Sequence, residues 1–380
     1  MRRGQWWLAV VLVAVNLRPT IASVPPLIDL ISADLRLSGA AAGLLTTLPV
    51  LCLGLFAPMA VRASGRMGTE RVVACAVALI VCGTAVRGLA GAAGLYAGTA
   101  LAGVGLAVAG ALLPSLVKAR FPERIGPVTG VYTATLICGA LFGGSLTEPL
   151  RAGLGLSWQA ALAAWSLPAV VALVAIAPLA RPAPVVDGPA SPLPWRSRTA
   201  WLVTVYMGIQ SLLFYSALAW LAARYTSLGS DPAEAGLLLG VFTVPQIVAA
   251  LGMPVLAHRY GDRRPWVALS SGLCVVANAG VALLPTAAPW LWATMLGLGV
   301  GGLFALALTM IAEHATTPGE AAALSGMAFF VGYLMAALGP VAAGALRDAT
   351  GGYEVPFLTL AVLSVVTLAI GVLAARPGEK

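Results

Sequence analysis

Twelve apolar runs, separated by charged or Pro/Gly-rich breaks, organise the chain. Their approximate limits are 6–30, 40–61, 71–89, 94–117, 126–148, 157–179, 199–223, 234–257, 265–286, 289–312, 320–346 and 353–375. A bilayer core takes about 20 residues of α-helix at 1.5 Å each, so every run predicts a transmembrane helix. The expected fold class is an all-α polytopic membrane protein of twelve transmembrane helices. An even number of crossings puts both termini on one side.

The longest break, 181–198, carries Pro182, Pro184, Pro189, Pro192 and Pro194. It cannot be a span and reads as a semi-rigid cytoplasmic linker. It divides an N-terminal six-helix bundle, 1–180, from a C-terminal one, 199–380. The halves repeat each other at a constant offset of 196: Pro58 and Gly65 match Pro254 and Gly261, Gly103 and Gly105 match Gly299 and Gly301, and Gly130, Gly143, Arg151 and Gly155 match Gly326, Gly339, Arg347 and Gly351. Six spans repeated in the same orientation is the parallel two-bundle plan of major facilitator transporters, with substrate near the midplane and alternating access by rocking.

Composition sharpens this. The chain is 60% hydrophobic and 9% charged, with mean hydropathy +0.94, whereas soluble domains carry about 25% charged residues. With the N-terminus inside, sixteen Lys and Arg fall on the cytoplasmic side (Arg2, Arg3, Arg62, Arg66, Arg71, Lys118, Arg120, Arg124, Arg181, Arg196, Arg198, Arg259, Arg263, Arg264, Arg376 and Lys380). Five fall outside: Arg36, Arg87, Arg151, Arg224 and Arg347. That bias makes both termini cytoplasmic. The net charge of +8 reports orientation and not nucleic-acid binding, because the basic residues form no patch with interleaved aromatics. Met1-Arg2-Arg3 before an apolar run imitates a signal peptide, but the run is long and many spans follow, so it reads as a retained first helix. The five cysteines lie within spans, without metal-type spacing, and read as packing residues.

Arg18, in Asn16-Leu17-Arg18-Pro19, is the one cation expected near a span centre. A guanidinium there stays charged and costs about 2.5–3.5 kcal/mol even on insertion scales. No Asp or Glu is expected at comparable depth, so a water-filled cavity and an anionic or electron-rich substrate are the expected compensation. A structural arginine bonded to backbone carbonyls is the competing reading. Pro19 removes an amide donor and predicts a kink. The offset maps Arg18 onto Phe214, beside Tyr215 and one turn from Gln210, a set suited to a small planar anion or electron-poor ring. Simple helix packing explains Phe214 equally well. Asn16, Gln246 and Tyr333 join the candidate substrate-binding set as further mid-span polar residues. Glu148, Arg151, Arg347 and Asp348, at outer span ends, are candidates for an external gate or a solvated face. Gly103-Val104-Gly105 lacks the strand context of a dinucleotide loop. His258 and His314 have no ligand partners in sequence, so no metal or other cofactor is expected.

Asn16-Leu17-Arg18-Pro19, Ala42 to Val50 and Gly54 to Pro58 together resemble the cyanate and 2-nitroimidazole transporter branch of the major facilitator superfamily. So do Gln210 to Tyr215, Ser325-Gly326-Met327 and Gly332-Tyr333-Leu334. The resemblance implies a single-chain, monomeric transporter of small solutes in a bacterial plasma membrane. The superfamily's Gly-x-Leu-Ala-Asp-Arg-x-Gly-Arg-Arg loop motif is degraded, with Arg62 where its acid is expected and His258 at the equivalent place in the second half. What survives is a basic cytoplasmic gate of Arg62, Arg66, His258 and Arg259.

The expected function is therefore secondary active or facilitative transport of a cyanate-like anion or nitroimidazole-like heteroaromatic, protons being an optional partner. A proton-coupled multidrug antiporter of the same fold is the alternative, though a cation exporter would want a membrane carboxylate. An intramembrane enzyme would need clustered His, Asp or Glu at depth, which the sequence lacks.

Overall fold

The computed structural model describes residues 2–89, 91–121, 123, 125–180, 193–260, 262–314 and 318–375; positions 181–192 of the expected linker lie outside them. Two compact units form, one from Met1–Leu37 with Leu48–Gly188, the other from Ser38–Thr47 with Pro189–Lys380. Ser38–Thr47, at the start of α4, groups with the second unit.

The first unit contains α1 (Arg2–Leu17), α2 (Pro19–Ala22), α3 (Ile28–Leu35) and the larger part of α4 (Gly39–Met67). It continues with α5 (Thr69–Val86), α6 (Gly91–Arg120), α7 (Ile125–Gly153), α8 (Trp158–Ala164) and α9 (Ser166–Ile176). The second contains α10 (Arg198–Thr226), α11 (Pro232–Tyr260), α12 (Arg264–Leu283), α13 (Pro289–Glu313), α14 (Pro318–Thr350) and α15 (Glu354–Ala374). Among the described residues, eleven segments are long and apolar enough to cross a membrane. They coincide with eleven of the expected runs; the other, 126–148, lies within the 29-residue helix α7.

The sequence repeat has a three-dimensional counterpart inside each unit. In the first, α5 packs on α6, α1 on α7, α1 on α9 and α5 on α9; in the second, α12 packs on α13, α10 on α14, α10 on α15 and α12 on α15. Gly155 and Gly351 both adopt positive φ, at +63° and +72°, turning the chain after α7 and after α14. Only glycine enters that region freely, which is why the offset preserves it there. Gly143 and Gly339 likewise share a role: a Cβ would lie 2.9 Å from Pro19 Cα in one unit and 2.4 Å from Ser216 Oγ in the other. Small residues let helix backbones approach where lipid supplies no hydrophobic drive.

The repeat is not carried through everywhere. Gly103 backs onto Pro49 of α4 and Gly105 onto Ala76 of α5, whereas Gly299 backs onto Ser270 and Cys274 of α12 and Gly301 onto Gln246 of α11. The glycine pair keeps its sequence offset but exchanges its two packing faces.

Candidate functional site: a broken first helix and an aromatic ladder

In the first unit, the expected first span is broken at the predicted position. α1 ends at Leu17, Arg18 is a turn residue, and Pro19 opens α2; the Pro25–Leu27 stretch is a 3₁₀ turn before α3. The cause is local: Pro19 has no N–H, so the carbonyl four residues back, on Val15, loses its helical donor. α7 fills the place, because Gly139 sits so close that a Cβ would lie 2.1 Å from Val15 O. The Arg18 carbonyl accepts from the Ile21 and Ala22 amides at 3.1 and 3.0 Å, restarting the helix.

Arg18 itself is half-buried at this break. It takes part in an interaction within the protein, so the expectation of a partnerless cation does not carry over to the fold. Asn16, one turn earlier, is buried and donates its amide nitrogen to Leu12 O at 2.7 Å and Pro168 O at 3.1 Å. Those two bonds employ both N–H groups of the carboxamide and tie α1 to α9.

In the second unit, five rings form a continuous ladder across α10, α11 and α14. Phe329 stacks on Tyr333 at 5.6 Å, and Tyr333 meets Tyr215 edge-on at 6.3 Å. Tyr215 meets Phe214 edge-on at 4.8 Å, and Phe214 stacks on Phe242 at 5.8 Å. Phe242 and Tyr215 are buried, whereas Phe214, Phe329 and Tyr333 keep part of their surface open. The sequence reading found Phe214, Tyr215 and Tyr333 but missed Phe242 and Phe329. Phe242 lies four residues before the nominated Gln246, the one local signal that could have found it.

The two nominated glutamines are held by their own helices. Gln210 is buried, its nitrogen 2.7 Å from Ser211 Oγ and 3.2 Å from both the carbonyl and the sulfur of Met207. Gln246 Nε2 donates back to Phe242 O at 2.9 Å. An amide in hydrocarbon needs a partner, and here the nitrogens find one locally.

The four charged residues nominated for an external gate each find contacts within their own unit. Glu148 and Arg151 pair through two 2.7 Å contacts within the first unit. In the second, Arg347 lies 4.8 Å over the Tyr353 ring and 5.7 Å over Trp220, while Asp348 receives the backbone amides of Gly39 and Ala40. Of the nominated gate, Arg62 and Arg66 are exposed near the end of α4 and Arg259 near the end of α11; the His258 side chain lies outside the described residues.

Arg18 is also not the most deeply enclosed cation. Arg87, placed among the outer basic residues by sequence, is fully buried at the C-terminus of α5, and its three guanidinium nitrogens have no hydrogen-bond partner among the described residues. The close approach of Gly98 on α6, where a Cβ would lie 2.8 Å from Arg87 N, walls it in. Arg224 is buried too and donates to the Val281 and Ala282 carbonyls. A residue next to a span end looks solvated in sequence; whether a neighbouring helix overlaps that end is a tertiary property.

Apolar helices with lipid-type surfaces, a repeated pairing scheme and a proline-broken first span describe a multi-pass membrane protein. The chain belongs to the Major Facilitator Superfamily, which it matches over residues 7–225 and 200–380. It is 36% identical to the 2-nitroimidazole transporter of Escherichia coli (strain K12) over 375 residues, covering 97% of this chain and 95% of that one. It is 34% identical to the cyanate transport protein CynX of the same organism over 369 residues, covering 95% and 96%. Among solved structures, the nucleoside transporter NupG (D323A mutant) superposes with a TM-score of 0.80 at 13% identity, over 98% of this chain and 100% of that one. At that identity the match concerns the fold alone.

Proposed function

We propose that this transporter moves a small anionic or polar planar solute, cyanate-like or nitroimidazole-like, by alternating access, with Arg18 as the substrate anchor. The observation that carries this is the coincidence of Arg18 with the helix break. A fixed positive charge sits where backbone carbonyls are released from helical bonding, and irregular backbone at membrane depth is tolerated where it lines protein or a cavity. The partly open rings Phe214, Phe329 and Tyr333 supply stacking faces for a planar solute. Asn16, Gln210 and Gln246, whose nitrogens are held within their own units, complete the proposed substrate-binding set. The near full-length identity to transporters named for 2-nitroimidazole and cyanate supports the solute class.

In this reading the chain is a monomer of twelve spans in a bacterial plasma membrane, with both termini cytoplasmic, as the distribution of basic residues supports. Arg62, Arg66, His258 and Arg259 form the basic cytoplasmic gate. Protons are an optional co-substrate.

Purified protein in vesicles, assayed for uptake of labelled 2-nitroimidazole and cyanate at several pH gradients, tests the reading. Arg18→Ala should lower initial rates by at least about tenfold, the loss of one charged contact worth about 1.5–3 kcal/mol, and Arg18→Lys should recover part of it. Undiminished uptake by folded Arg18→Ala protein would reject the anchor.

A further inference from the structure

A cavity of about 400 Å³ opens in the first unit, among the start of α1, the end of α6 and the end of α9. Its polar end is made by Gln5, Trp6 and Arg120, and its wall by Leu8, Val174 and Leu179. The wall is not core: Leu8 is 54% and Val174 67% exposed on helices long enough to span a membrane. In a bilayer, that surface faces acyl chains.

Arg120, the last residue of α6, is fixed in two directions. Its Nε and Nη2 donate to Glu70 Oε1 at 3.1 and 2.5 Å, and its Cζ lies 4.4 Å from the centre of the Trp6 ring. The Glu70 side chain is 7% exposed but that of Arg120 36%, so the pair turns only its cationic member outward. Of the five guanidinium N–H groups, those on Nη1 take no part in these bonds.

The second unit supplies an internal contrast. There Arg263, just before α12, pairs with Glu313, the last residue of α13. The sequence separation of 50 equals that of Glu70 and Arg120, but the charges are exchanged. The ion pair at this end of the third and fourth long helices is therefore a recurring element. Only in the first unit does the fourth helix end in the cation, and there it lies beside a lipid-facing groove.

We propose that this groove is a binding site for an anionic glycerophospholipid. The phosphoryl oxygens meet the Nη1 edge of Arg120, the glycerol ester carbonyls reach the Gln5 amide, and an acyl chain runs along Leu8, Val174 and Leu179. A planar guanidinium with an unused N–H edge matches two phosphoryl oxygens, and the buried Trp6 ring holds that guanidinium in place from its other side. Basic pockets between helix ends at the cytoplasmic surface are where acidic headgroups are recognised. The Glu70 contact orients the guanidinium and leaves its Nη1 edge for the headgroup.

The test uses full-length protein extracted from membranes and then delipidated, with bound lipid followed by native mass spectrometry and thermal stability followed during titration with phosphatidylglycerol, phosphatidylethanolamine or inorganic phosphate. Wild-type protein should retain phosphatidylglycerol and be stabilised by it, but not by the other two. Arg120→Gln should weaken that affinity about tenfold, the worth of one charge-assisted contact. The double variant Glu70→Arg with Arg120→Glu installs the polarity of the second unit, so it should keep its basal melting temperature yet lose retained lipid. Ala175→Phe fills the groove without touching any charge and should likewise lose retained lipid, which covers the case in which the exchange fails to fold. Equal stabilisation by phosphatidylethanolamine would overturn the anionic selectivity, and equal stabilisation by inorganic phosphate would overturn the lipid in favour of a small-anion site. Unchanged lipid retention in Arg120→Gln and Ala175→Phe would overturn the site.

Discussion

Asp348, near the end of α14, caps the helix that begins at Gly39: its Oδ1 accepts the Gly39 amide at 2.8 Å, and its Oδ2 the Ala40 amide at 3.0 Å. The two helices lie almost in backbone contact along the following turns. A Cβ on Gly43 would sit 2.4 Å from Pro340 O, one on Gly344 2.1 Å from Gly39 O, and Thr47 donates to Ala337 O at 2.7 Å. This seam draws Ser38–Thr47 into the second unit. Pro49, two residues beyond, removes the amide that would have bonded Leu45 O, next to the point where the assignment of α4 changes.

Asp348→Ala should cost about 1 kcal/mol, the usual worth of an N-terminal cap carboxylate. A cysteine placed at Ala40 should then react faster with a water-soluble maleimide. Unchanged labelling and melting temperature would show that the cap holds nothing in place.

The break at Arg18 is predicted to depend on Gly139. Any side chain there meets the Val15 carbonyl, so Gly139→Val should destabilise the protein by about 1–3 kcal/mol or more, as overpacking does. Uptake should fall along with the yield of monodisperse protein. A fully active Gly139→Val variant would mean that α7 does not support the break.

The aromatic ladder should discriminate among solutes. Phe214→Ala and Tyr333→Ala each remove a stacking face worth about 1 kcal/mol, so half-saturation for 2-nitroimidazole should rise about fivefold. Cyanate, which has no ring, should be affected much less. Competition uptake with both solutes in the same vesicles measures the difference, and a parallel loss for both would point to structural damage.

Arg87 is predicted to cost stability. Its counterpart at the repeat offset is Leu283, so Arg87→Leu places the residue of the second half in the first. Removing a buried guanidinium that finds no acceptor among the described residues should stabilise by about 1–4 kcal/mol, read as a raised melting temperature. A fall would show that Arg87 serves a ligand or a partner in the folded protein.

The family, the apolar segments and the position of the first-helix break were all legible in sequence, because each follows from local chemistry. Run length reports the bilayer, an imino nitrogen reports a missing hydrogen bond, and Gly155 and Gly351 report a turn that side chains resist. The aromatic ladder was partly legible. Phe214 and Tyr215 came through the repeat and Tyr333 as a mid-span polar residue, whereas Phe242 and Phe329 resembled every other apolar residue in a lipid-soluble helix. Asn16, Gln210 and Gln246 were recognised as polar groups needing partners, but the partners are backbone and side-chain atoms that only the fold brings within reach.

By itself, the sequence determined which stretches can cross a membrane, that the halves are copies, and where the first helix must yield. Tertiary structure decided what each exposed edge of a helix meets: that Ser38–Thr47 binds α14, that Arg87 is enclosed while Arg120 looks outward, and that the ion pair of one half is reversed in the other. The physical reason is one of range. Periodicity and hydrogen bonding act within a few residues along the chain, whereas burial and charge pairing depend on atoms that approach only when helices pack.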